Sequence, residues 1–135
     1  MRIALIYALS VRGKKDERVT ALARGMESMG HRVDQLDAWT EDGSRLPGYE
    51  YIVIYAESLS PISSKLAERL PKILSSASSL VGKKGAAFLR KGGLFSGKAM
   101  GNLMRAMEKE GMCVNWSDSI ASPELAEAIG KRIGA

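Results

Sequence analysis

The chain has 135 residues, 45% hydrophobic and 26% charged, with a net charge of +5. That is enough apolar material for a full core, so disorder is excluded and 1–135 reads as a single domain. The mild basicity permits attraction to phosphates or acidic partners, but two Trp, two Phe and no basic-aromatic alternation give no surface for stacking exposed bases, so no nucleic acid is expected.

Ile3 to Leu9 is a run of seven uncharged residues. It is too short to span a bilayer and too uniformly apolar for a half-exposed strand, so it reads as a central parallel strand covered on both faces. No small-residue cleavage pattern follows it, so it is a strand and not a signal peptide, and a cytoplasmic protein without membrane contact is expected. Ser10-Val11-Arg12-Gly13-Lys14-Lys15 forms a basic loop. Val19, Leu22, Ala23, Met26 and Met29 then recur as one helical stripe, with Asp16 as N-cap and Gly30 as C-terminal cap. The lone His31 has no His, Cys or carboxylate companions at ligand spacing, so no metal site is expected.

Arg32 to Leu36 reads as a polar edge strand, and Asp37 to Gly48 as loop, with Trp39 capping the sheet edge. Tyr51 to Ala56 is a second fully apolar strand that ends at Glu57-Ser58-Leu59. Ser60-Pro61 predicts a helix start, and Ile62, Leu66, Leu70, Ile73, Leu74 and Ala77 its stripe, kinked or split at Pro71. Gly82 to Gly85 is a turn and Ala86 to Leu89 a strand. The glycine-rich loop Arg90 to Phe95 follows, with Ser96 as the expected cap of a helix carrying Met100, Leu103, Met104 and Met107 and ending at Gly111. Met112 to Val114 reads as a short last strand in which Cys113, the single cysteine, is a buried small side chain. Ser122-Pro123 opens a final helix with Leu125, Ile129 and Ile133 inward.

Five strands alternate with four helices, which predicts an α/β fold: a three-layer αβα sandwich around a parallel sheet. Placing the two apolar strands centrally and the polar second strand at an edge gives the order 2-1-3-4-5. A strand that feeds a loop and then a helix is where such sheets bind phosphate-bearing ligands, because the free amides of the helix start face that loop.

This element order resembles the flavodoxin family over nearly the whole chain. Ile3 to Tyr7 is similar to the family's first strand. Val19 to Gly30 followed by His31-Arg32-Val33 resembles its first helix and closing turn, and Gly82 to Met112 its fourth strand, helix and entry to the fifth strand. The resemblance implies a flavodoxin-like fold that binds FMN for electron transfer or reduction. It places the phosphate at Ser10, Val11, Arg12, Gly13, Lys14 and Lys15, and the ring between Glu57-Ser58-Leu59 and Gly92-Gly93-Leu94-Phe95. The family's phosphate loop has the form T-x-T-G-x-T, of which Ser10 and Gly13 alone match; Asp16 brings an acid where the family has a hydroxyl, against the cations Arg12, Lys14 and Lys15. Phe95 is the one candidate to stack on the ring. Flavodoxins are acidic and this chain is basic, which implies an acidic redox partner protein. The competing expectation is a fold that has lost flavin and serves as a binding or interaction module with an anion or nucleotide site.

Gly92 to Ala99 comes within one residue of the P-loop pattern, yet Ala99 replaces the hydroxyl that would ligate Mg²⁺ and no Walker B aspartate follows a strand, so the match reads as chance. A phosphoacceptor receiver is excluded because Ser10 and Glu57 stand where it needs aspartates. No Ser-His-Asp or Cys-His set is present.

Overall fold

The structure, a computed structural model, describes residues 1–134. The elements in chain order are β1 (Arg2–Ala8), α1 (Glu17–Ser28), β2 (Arg32–Asp37), a 3₁₀ turn (Leu46–Gly48), β3 (Tyr51–Ala56), α2 (Arg69–Ser75), β4 (Lys84–Arg90), α3 (Ser96–Glu108), β5 (Cys113–Ile120) and α4 (Pro123–Arg132). The strands form one sheet in the order β2-β1-β3-β4-β5, and every pairing is parallel. This is the order expected from the two apolar runs.

Alternation along the strands divides the core in two. Ile3, Leu5, Val53, Tyr55 and Phe88 face α1 and α4, whereas Ala4, Ile6, Ile52, Ile54 and Ala87 face α2 and α3. Both faces of β1 and β3 are therefore buried, which is why their sequences carry no polar alternation. Each fully buried Leu or Ile contributes about 1.5–3 kcal/mol by leaving water. The helices α1 and α4 cross at glycine: a Cβ built on Gly25 would meet the Glu127 carbonyl at 2.2 Å, and one on Gly130 the Leu22 carbonyl at 2.5 Å.

Several local expectations are corrected. The predicted long helix from Ser60 is the short α2, and Ile62 is 72% exposed. The Ser63 hydroxyl accepts the Lys65 amide and the Leu59 amide bonds to the Lys65 carbonyl, so the chain closes a loop instead of winding a helix. Pro71 then falls in the first turn of α2, where a missing N–H costs nothing and no kink arises. Phe95, not Ser96, holds the N-cap position of α3, and no side chain caps it. β5 is eight residues long and continues through polar residues, because it is the exposed outer edge of the sheet. Cys113, expected to be buried, lies exposed on that edge. Met29 and Leu125 are also exposed, leaving the inward faces of α1 and α4 to Val19, Leu22 and Met26, and to Ala126, Ile129 and Gly130. The Trp39 indole donates to the Leu9 carbonyl, so it ties the loop after β2 to the end of β1.

Candidate functional site

The register of the central strands builds the site. Ala8 pairs with Ala56, and Ala56 with Leu89, so β1, β3 and β4 end level. The Glu57 amide continues the ladder by donating to the Ala8 carbonyl. Glu57 follows Tyr55 by two residues, and Arg90 follows Phe88 by two. Tyr55 and Phe88 are paired neighbours, so Glu57 and Arg90 emerge side by side on the α1/α4 side of the sheet. The loop after β1 brings Ser10 and Lys14 to the same place from the other flank.

These residues form a tight ionic cluster. Glu57 Oε1 accepts from the Ser10 amide at 2.9 Å and from Lys14 Nζ at 2.7 Å. Glu57 Oε2 accepts from Lys14 Nζ at 2.8 Å and from the Arg90 guanidinium at 2.6 Å. Glu57 is buried, 8% exposed as a residue. Burial alone would raise its carboxyl, but the bonds from Lys14, Ser10 and Arg90 outweigh that and hold it at about 2. The Glu57 carboxylate in turn raises the Arg90 guanidinium above its ordinary value.

A second cluster lies beside it. The Tyr55 hydroxyl donates to Asp16 Oδ2 at 2.6 Å, while Asp16 Oδ1 accepts the Arg18 amide at 3.0 Å and its guanidinium at 3.1 Å. Asp16 therefore caps α1, as its sequence position predicts. Burial would raise its carboxyl, but the Tyr55 and Arg18 bonds bring it below the usual range. Burial first, and then the Asp16 carboxylate, push the Tyr55 phenol far above the ordinary tyrosine value.

Above the Glu57 cluster opens a cleft of about 310 Å³. Ser10, Lys14, Glu57 and Arg90 line its base, and the loops Ser58 to Pro61 and Lys91 to Gly93 its walls. The two walls are joined where the Leu94 amide donates to the Pro61 carbonyl at 2.9 Å. The left-handed φ of +83° at Gly93 and its approach to Pro61 make that junction possible.

Of the residues singled out in the sequence, Ser10, Lys14, Glu57, Ser58, Leu59, Gly92 and Gly93 line the cleft. Val11, Arg12, Gly13 and Lys15 are exposed on the loop outside it, and Leu94 and Phe95 are exposed beyond its far wall. Ser60, Pro61, Arg90 and Lys91 also line the cleft and were not singled out. The signal for Arg90 and Lys91 was their place at the C-terminal end of a strand, where open α/β sheets gather ligands. Lys98, the lysine of the near-P-loop, is exposed in the first turn of α3. A phosphate cradle there would need the Leu94 amide that Pro61 already takes.

No protein-family model and no curated protein sequence matches the chain. Solved structures do. Oxidised Flavodoxin 1 from Bacillus cereus superposes with a TM-score of 0.73 at 18% identity, over 96% of this chain and 95% of that one. Flavodoxin 2 from the same organism gives 0.74 at 19%, over 98% and 94%. The two-electron reduced flavodoxin of Megasphaera elsdenii gives 0.71 at 17%, over 96% of each chain. The fold is the flavodoxin fold. In this fold the chain leaves β1 toward β2 on one side and enters β3 on the other. The cleft opens at that change of direction, over the C-terminal ends of the strands. Among the described residues no helix is long and apolar enough to cross a membrane.

Proposed function

We propose that the protein binds flavin mononucleotide in this cleft and uses it for electron transfer or reduction. The observation that carries the reading is the convergence of the Ser10 amide, Lys14 and Arg90 on one point at the base of a cleft, at the crossover position of a flavodoxin fold. The donor set fits a phosphate: two cations and an amide, in a partly desolvated position where charge-assisted bonds are strong. The phosphate end would belong to the Ser10–Lys15 loop with Arg90 opposite. The ring would lie between Ser58-Leu59 and Gly92-Gly93, with Leu59 and Pro61 supplying apolar wall. The bound flavin would supply the reversible uptake of electrons. The protein's part is to hold the phosphate, to orient the ring and, through the amides of the glycine turn, to set the polarity around it.

The mouth of the cleft is basic. Lys91 is exposed on its wall, and Arg12 and Lys15 are exposed on the loop that carries Lys14 into it. An acidic redox partner would be drawn to that rim, faster at low salt.

One observation favours a second reading. Glu57 already takes the donors that a phosphate needs, and Phe95 stands outside the cleft, so the fold could serve as a binding module without flavin. The visible spectrum of the purified protein, before and after incubation with excess FMN, separates the two. Flavin absorbance that remains after gel filtration supports FMN; a colourless protein supports the module.

A further inference from the structure

Four short contacts from three residues meet on the Glu57 carboxylate, at 2.6 to 2.9 Å. That is the coordination of a bound oxyanion, supplied here by the chain itself. Lys14 and Arg90 reach inward from the rim, with side chains 34% and 39% exposed. Water can therefore rehydrate them if the carboxylate departs, and a soluble anion can reach them. Glu57 stands at the start of the irregular loop that runs from β3 to α2. Its backbone is tied to Ala8, and its side chain lines the cleft into which it would turn.

The tip of the Ser10–Lys15 loop and the start of α1 are a poorer receptor. The Lys14 amide turns back on the Val11 carbonyl, and the Asp16 carboxylate takes the Arg18 amide in the first turn of α1. An anion at that helix start would meet Asp16 at close range.

We infer that the Ser10 amide, Lys14 and Arg90 form the oxyanion site of this chain, that Glu57 is its resident counter-ion, and that a phosphate monoester binds by exchanging with the Glu57 carboxylate. This rests on the reading of the cleft as a phosphate site, and it moves the phosphate from the tip of the loop to the ends of β1 and β4. No covalent bond changes: the carboxylate turns into solvent, and the phosphate, close to doubly charged at neutral pH, takes its donors. The trio is selective by charge. A dianion gains more from two cations than the monoanion it displaces, while a neutral ligand cannot open the site.

The test uses inorganic phosphate as the probe, titrated calorimetrically into the full chain at constant ionic strength. Glu57→Gln is expected to bind phosphate at least about tenfold more tightly than the wild type, because no carboxylate competes and none repels. The double variant Glu57→Gln/Arg90→Ala is expected to lose that gain. Unchanged or weaker binding in Glu57→Gln overturns the exchange. Should the variant fail to fold, the ¹³C carboxyl resonance of Glu57 in the wild type is expected to shift as phosphate is added while that of Glu127, on α4, stays still. A Glu57 resonance that does not move, or phosphate that does not bind at any accessible concentration, also overturns it. Titrating FMN and riboflavin into the same proteins separates the two readings. Phosphate gain without flavin binding rejects the flavin and keeps the exchange. Flavin binding that Glu57→Gln leaves unaltered, with no phosphate gain, rejects the exchange and keeps the flavin.

Discussion

Arg90 and Glu57 leave neighbouring strands at the same level, and the guanidinium closes on the carboxylate at 2.6 Å. The pair exists because β3 and β4 are in register from Ile52–Gly85 to Ala56–Leu89. It lies at the floor of the cleft and makes the cleft's charge depend on one buried acid.

That acid should make stability depend on pH. The folded Glu57 carboxyl is held at about 2, below the ordinary glutamate value of 4.5. The unfolded state therefore binds its proton first as pH falls. The contribution of Glu57 is full above 4.5 and is lost as pH drops toward 2. The cations around it are a third exposed, so solvent screening reduces the contribution to about 1–2 kcal/mol. Denaturant melts between pH 5 and pH 2 should show a shallower loss of stability in Glu57→Gln than in the wild type.

Tyr55 should be the last of the four tyrosines to ionise. Its hydroxyl donates to a carboxylate, so deprotonation would bury two anions together. Absorbance at alkaline pH should give the same early titration for Tyr55→Phe as for the wild type, with the latest step missing. The lost hydrogen bond to Asp16 should cost about 1–2 kcal/mol in a chemical melt.

Gly130→Ala should damage the fold without touching the cleft. The added methyl would sit 2.5 Å from the Leu22 carbonyl, and α1 and α4 would have to separate. An expected loss of about 2–3 kcal/mol, as for other overpacked contacts, would lower the melting temperature by several degrees.

Lys98→Ala should change nothing. The side chain is exposed in the first turn of α3, near the positive end of the helix, and the Leu94 amide of the supposed cradle is already bonded. The melting temperature should stay within the range of about 0.5 kcal/mol usual for surface substitutions, with no effect on ATP or FMN binding in a fluorescence titration.

How much of this the sequence carried depends on where each signal is encoded. β1 and β3 were legible because burial on both faces writes an unbroken apolar run, and the strand order followed from them. The Asp16 and Ser122 caps were legible because the cap chemistry is local. The helix expected at Ser60 failed because Ser63 and the closure of Leu59 onto Lys65 compete with helix formation over the same residues. The last strand was expected, but its length was missed because an exposed edge imposes no apolar pattern on Asn115 to Ser119. For the site, Glu57 could be placed at a strand end and Lys14 in the loop after β1 from the sequence. That Glu57 would meet Arg90 could not, since that contact depends on register between strands 33 residues apart in the chain.

The measurement that tests the central reading most directly is a paired titration of FMN and riboflavin into the unmodified protein, at low and high salt. The two ligands share a ring and differ by the phosphate. If the Ser10 amide, Lys14 and Arg90 hold that phosphate, FMN should bind at least about tenfold more tightly than riboflavin, and the difference should shrink as salt screens the cations. Equal affinities, or no binding of either flavin, would contradict it.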